Sequence, residues 1–214
     1  MITSSEKHKR VRSKQKGNCD SVHHPSEKII QLEKYKKYLS GSEILEVFGG
    51  VGNLTKYYKQ YGSVTALTKE RFGSSFDYIY QLRADKKKYN IIDIDSYGYP
   101  DLFFPVVFEM IKDRGLLIFT FPVIGVNCLN GIQEQHFITF WRNTRPTVGD
   151  ITGILTDMAL RSWHLLKLLD VQKIDRIYRF VYQCNRVKAT EMTNVKNNGK
   201  HLSKQKAFNF NEKT

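Results

Sequence analysis

Apolar positions along the chain follow two rhythms. In "PSEKIIQLEKYKKYL", residues 25–39, the residues Ile29, Ile30, Leu32, Tyr35 and Leu39 fall near one face of a helical wheel, with Pro25 at its start. That spacing predicts one amphipathic helix. "ILEVF" (44–48) reads as a buried strand, and the helix of "NLTKYYKQY" ends at Gly62. Strands are predicted at 63–67, from Asn90 to about Asp93, and at 116–121. Helices are predicted over 105–113 and 150–161. In "WHLLKLLDVQKIDRIYRFVYQCNRV", Tyr178, Phe180, Tyr182 and Cys184 alternate with Arg179, Val181 and Gln183, which predicts the second arm of a closing hairpin.

Strands that alternate with helices imply an α/β fold, a mostly parallel Rossmann-like sheet covered on both faces. The hairpin adds a C-terminal antiparallel strand. Ligands in such sheets sit beyond the carboxyl ends of the strands. Two polar segments lie at such ends: the glycine turn after Phe48, and "DIDSYGYP" (93–100).

Charge changes the picture at the two termini. The net charge is +13. Residues 1–17 hold six Lys/Arg and one Glu, and residues 185–214 hold seven Lys/Arg and two Glu. The 167 residues between carry only +3. This divides the chain into a basic arm (1–24), a folded domain (25–187) and a basic tail (188–214) expected to be disordered. Such arms suit a polyanionic partner, RNA or DNA, held through counterion release; solvated tails that aid solubility are the alternative. No apolar run approaches the ~20 residues of a membrane span. Cys19, Cys128 and Cys184 are odd in number and far apart, which fits a reducing, cytoplasmic setting better than a disulfide framework.

The glycines of "EVFGGVGNLT" would weaken a helix or a strand, so their use is close approach of backbone to a ligand at a helix start. A plain tight turn is the competing reading. The dinucleotide fingerprint fails, because Gly50-Val51-Gly52 is not followed by the third glycine. Instead the pattern Glu46, Phe48, Gly50, Gly52 resembles motif I of the class I S-adenosylmethionine-dependent methyltransferases. The second segment carries Asp95, Tyr97, Gly98 and Pro100. It resembles the strand-end motif of the N2,N2-dimethylguanosine tRNA methyltransferases, with Ser96 in place of the first proline. "GNLT" is similar to the helix start of small phage- and plasmid-type methyltransferases. The resemblance covers about 44–123.

The resemblance implies S-adenosyl-L-methionine as cofactor and an exocyclic amine of a nucleic-acid base, RNA guanine or DNA adenine, as target. It implies that Glu46, Phe48, Gly50, Gly52 and Asn53 line the cofactor, with Glu70 for its ribose hydroxyls. Asp95 would accept hydrogen bonds from the amine, and Tyr97 would stack on the base. Only 22 residues (68–89) separate the second strand from "NIIDID". A helix–strand–helix needs roughly 30. The family's third strand is therefore expected to be short or replaced around "YIYQLRAD", which makes the strand ending at Asp95 the fourth in the family's order. Asp85 is either near the adenine amino group or an exposed loop residue.

Cys128 lacks the setting of a nucleophile, and Cys19, His23 and His24 lack a second ligand pair for a metal. Residues 122–149 interleave Phe140 and Trp141 with Arg142 and Arg145, which suits a base-pocket lid or a packed subdomain. Two other function classes stay open: a small-molecule or protein methyltransferase, and a non-catalytic nucleic-acid-binding protein on the same fold.

Overall fold

The computed structural model describes residues 24–49, 52–67, 75–96, 100–122, 140–141, 146–175 and 177–187. The expected basic arm, apart from His24, and the basic tail lie outside the described residues. So do Gly50, Glu70, Tyr97 and Cys128.

In chain order the elements are α1 (Pro25–Glu33), α2 (Lys36–Leu39), β1 (Glu43–Val47), α3 (Asn53–Tyr58), β2 (Ser63–Leu67), α4 (Ser75–Ala84) and β3 (Tyr89–Ile94). A 3-10 turn (Pro100–Phe103) leads into α5 (Phe104–Met110). Then come β4 (Ile111–Pro122), α6 (Val148–Arg161), β5 (His164–Ile174) and β6 (Ile177–Arg186). The six strands form one sheet in the order β2-β1-β3-β4-β6-β5. β2, β1, β3 and β4 run parallel. β6 is antiparallel to both neighbours. The fold is α/β and Rossmann-like, with the closing hairpin where the alternation placed it.

The inner strands β1, β3, β4 and β6 are largely buried on both faces, so their side chains divide by parity. Leu45, Ile92, Leu117 and Phe180 join the core under α4, α5 and α6. Ile44, Ile91, Leu116, Ile118 and Val181 join a second core under α1, α2 and α3. Phe119 stacks on Phe180 with ring centroids 4.9 Å apart, which ties β4 to the hairpin strand. α6 starts on a capping box: Thr147 accepts from the Asp150 amide, and the Asp150 carboxylate accepts from the Thr147 amide.

Several expectations need correction. The helix over 25–39 is two helices, broken at Lys34–Tyr35. Its buried face is largely the expected one: Leu32 and Leu39 are fully buried and Ile29 and Tyr35 pack against them, while Ile30 is 62% exposed, and Lys28 and Gln31 are buried as well. The expected replacement of the family's third strand is a helix: α4 takes in all of "YIYQLRAD" but its last residue, and β3 is the next described strand. α5 ends at Met110, and Ile111 opens β4 by pairing with Tyr89 through an irregular register. Of the two readings of Asp85, the structure bears out the exposed one: it lies just beyond α4, where it accepts from Gln81. It precedes β3, at the opposite end of the sheet from the strand tips.

Candidate functional site

β1 leaves the sheet through a strained turn. Phe48 has φ 70°, a left-handed conformation that is unfavourable for a bulky side chain. Its ring meets Phe103 edge-on at 5.3 Å, and this contact helps hold the turn. The Gly49 amide donates to the Leu67 carbonyl (3.0 Å), and the Gly52 amide donates to the Gly49 carbonyl (2.8 Å). Gly52 (φ 83°) caps α3 in the left-handed region, which glycine adopts freely. A Cβ on Gly49 would lie 3.3 Å from Thr55 Oγ1 and 3.4 Å from Ala66 Cβ, so the turn packs directly onto the start of α3. Asn53 opens that helix and has a polar or packing contact of its own.

The register then sets Glu46 beside Asp93 and Thr120 beside Arg179. Asp95, two residues beyond Asp93, falls on the same face. Its amide donates to the Val47 carbonyl (3.2 Å), which extends the β1–β3 pairing to the strand tip. Five polar residues thus cross the carboxyl end of the sheet on the face covered by α1 and α3. Tyr58 of α3 and Lys28 of α1 complete the cluster from above.

Its hydrogen bonds are specific. Tyr58 Oη donates to Asp93 Oδ2 (2.5 Å). Arg179, fully buried, donates to the same oxygen (2.5 Å) and to Thr120 Oγ1 (3.2 Å). Lys28, 2% exposed, donates to both Asp95 oxygens at 2.7 and 2.6 Å. Thr120 donates to Asp95 Oδ1 (2.7 Å). Glu46, also 2% exposed, accepts from Thr55 Oγ1.

The protonation states follow from this arrangement. Burial pushes the Glu46 carboxyl up to about 8; the Thr55 hydroxyl opposes the shift, and the negative charges of Asp93 and Asp95 add to it. Burial would also raise Asp95. The charges of Lys28 and Arg179, with the hydrogen bonds from Lys28 and Thr120, outweigh it and hold that carboxyl below its ordinary value. Burial opposes the charge on Arg179, but Asp93, Tyr58 and Asp95 reverse this and raise its pKa. At neutral pH the tips of β1 and β3 therefore present two different acids, Glu46 protonated and Asp95 ionised.

Of the residues named from the sequence, the structure brings together Glu46, Phe48, Gly52, Asn53 and Asp95. Sequence reasoning missed Lys28, Tyr58, Thr120 and Arg179. Arg179 sits in an alternating strand where its position reads as outward, and Lys28 is a charged residue of a helix whose predicted face was defined by its apolar residues alone. Thr55 belonged to "GNLT", but its bond to Glu46 was not foreseen. Among the described residues no cluster of three or more His, Cys, Asp or Glu could hold a metal. No described helix is long and apolar enough to cross a membrane. A cavity of about 780 Å³ lies on the other face of the sheet, between α6, Pro105 and Trp141, away from the strand-tip carboxylates.

No protein-family model matches the chain, and no curated protein matches it. Solved structures do. A candidate hemolysin of Streptococcus thermophilus superposes with a TM-score of 0.52 at 12% identity, over 83% of this chain and 73% of that one. A candidate SAM-dependent methyltransferase from Streptococcus mutans gives 0.48 at 16% identity, over 71% of this chain and 48% of that one. Trm1 from Pyrococcus horikoshii, in complex with S-adenosyl-L-methionine, gives 0.42 at 16%, over 55% and 32%. At these identities the likeness concerns the fold alone. The chain spans about half the length of the Streptococcus mutans protein and about a third of Trm1.

Proposed function

We propose that this chain is a class I methyltransferase that binds S-adenosyl-L-methionine and methylates an exocyclic amine of a nucleic-acid base. RNA guanine is the first candidate and DNA adenine the second. The observation that carries this reading is the pair of unlike carboxyls, Glu46 and Asp95, set on one sheet face beside a strained glycine turn. A buried, protonated Glu46 has a reason to exist if a cationic group binds there and ionises it. The methionine ammonium of the cofactor is such a group, and Gly49, which packs onto Thr55 and Ala66, lets the turn sit tight against the start of α3 beside Glu46. When bound, the cofactor supplies an electrophilic methyl group on sulfonium.

In this reading Glu46, Phe48, Gly50, Gly52 and Asn53 line the cofactor, and Glu70 takes its ribose hydroxyls. The lone pair of an aryl amine is delocalised into its ring, and attack requires that nitrogen to become more tetrahedral. Asp95 accepts one of its N–H groups and stabilises the positive charge that develops there. Tyr97 stacks on the base and fixes its plane. The transfer is an in-line displacement, so alignment by the rigid strand tips carries much of the rate. The basic arms at 1–24 and 188–214 bind the phosphate backbone.

One observation favours a second reading. Asp95 is already paired with Lys28 and Thr120, an arrangement also expected of a fold that keeps the cofactor and has lost the chemistry. One experiment separates the two. The protein is incubated with tritiated methyl donor and separate pools of tRNA, rRNA and DNA, followed by nucleoside analysis, and cofactor binding is measured by calorimetry. Label in a methylated exocyclic amine supports the first reading. Binding without transfer supports the second, and absence of binding rejects both.

A further inference from the structure

The turn after Asp95 carries Ser96, which does not lock the backbone as proline would. The stiffness of this acid must come from elsewhere in the fold, and Lys28 supplies it. Lysine is almost never fully buried unless paired, yet Lys28 is buried on α1 with its ammonium between both oxygens of Asp95. A buried ion pair contributes little net stability compared with packed apolar side chains. What it does contribute is a fixed geometry and a fixed charge. A carboxylate offers about four acceptor positions. On Asp95, Lys28 and Thr120 occupy two on Oδ1, and Lys28 occupies one on Oδ2. Among the described residues one position is left, on Oδ2.

We propose that Lys28 is a positioning residue for the transfer reaction: paired with both oxygens, it holds the Asp95 carboxylate in one rotamer, with an Oδ2 position that no described residue occupies turned to one N–H of the target amine. The inference rests on the proposed function and assigns to it a residue from a helix outside both strand-tip motifs. The groups that face Asp95 come from every element around it. They are Lys28 on α1, Arg179 on β6 with Nη1 at 4.0 Å, Thr120 on β4, Asp93 on its own strand, and Glu46 on β1, whose carboxyl feels the Asp95 charge. Lys28 is the cation in direct contact, so its loss moves the Asp95 titration upward while Arg179 still holds Asp93. Asp95 accepts a hydrogen bond but does not retain the proton. As methyl leaves sulfur for nitrogen, the C–S bond breaks and the C–N bond forms. Sulfur keeps the electron pair, and the acidic methylated ammonium releases its proton to water.

The test uses full-length Lys28→Met and Lys28→Arg with tritiated S-adenosylmethionine and the nucleic-acid pool that accepts label from the wild type. Lys28→Met is expected to lower kcat about 100-fold, the cost typical of a misplaced reacting group. Its cofactor Kd stays within about threefold of wild type, and the acid limb of its kcat–pH profile moves to higher pH. Lys28→Arg restores most of kcat. Wild-type kcat in Lys28→Met, with an unmoved acid limb, would overturn the proposal. In parallel, 13C-carboxyl NMR follows the Asp95 titration in wild type and Lys28→Met, with Lys28→Met/Asp95→Asn as the charge-balanced folding control. This readout needs no turnover. An Asp95 pKa unchanged by Lys28→Met rejects the positioning role even in an inactive protein, whereas a raised pKa without transfer to any pool leaves the ion-pair link standing and rejects the methyltransferase reading alone.

Discussion

Replacing Glu46 with Gln tests the electrostatics of the β1 tip without removing the hydrogen bond from Thr55. In the folded protein burial lifts this carboxyl from 4.5 to about 8. In the unfolded chain it titrates near its ordinary value. Between those two pH values the folded state holds a proton that the unfolded state has released. Stability from this group therefore falls as pH rises, with a slope of about 1.4 kcal/mol per pH unit. The full interval corresponds to about 5 kcal/mol. Relaxation and water entry around an ionised Glu46 reduce this, and about 3 kcal/mol is the expected reading. Glu46→Gln does not titrate, so it removes the whole dependence. Urea unfolding of both proteins at pH 5, 7 and 9 measures it, because every other group contributes equally to the two curves. The variant is expected to match the wild type at pH 5 and to exceed it by about 3 kcal/mol at pH 9. A difference that stays flat with pH, or an advantage of the variant that shrinks from pH 5 to pH 9, refutes the buried protonated state. If S-adenosylmethionine binds at Glu46 as proposed, its binding to the wild type is expected to release a proton near neutral pH. Calorimetry in buffers of different ionisation enthalpy reads that release, and it vanishes in Glu46→Gln.

Other expectations follow from the same geometry. Arg179→Met strands Asp93, and Asp95 beside it, without their shared cation, at a cost of about 3–5 kcal/mol; thermal unfolding measures this, and Arg179→Met/Asp93→Asn recovers part of the loss through coupling. Gly62→Ala places a Cβ 2.1 Å from the Ser42 carbonyl oxygen, which already accepts from the Ser63 amide. The backbone between β1 and β2 must shift, and denaturant unfolding should show a loss of about 1–3 kcal/mol. Thr147→Ala removes the capping box of α6 and costs about 1 kcal/mol, with the opening of the first turn of α6 seen by amide exchange.

The sequence alone determined the order and type of most elements. Short β-branched runs such as "EILEV", "SVTAL" and "NIIDI", separated by helical spacings and glycine turns, admit few arrangements other than a parallel sheet with a closing hairpin. It also placed Glu46 and Asp95 at strand tips, because a strand's period of two and its terminus can be read locally. What the sequence could not decide is which charges meet. Lys28 and Asp95 are 67 residues apart, and Asp93 and Arg179 are 86 apart. Hydrophobic periodicity pointed the first helix at Ile29, Ile30, Leu32, Tyr35 and Leu39, and all of these but Ile30 do face the core, yet it said nothing of Lys28 and Gln31. The folded protein also turns Lys28 and Gln31 inward, because the Asp95 carboxylate and the Arg179 carbonyl await them. The split of one pair of acids into a protonated Glu46 and an ionised Asp95 also appears only in three dimensions. Desolvation and the nearest opposite charge set each pKa, and both are properties of packing, not of residue type.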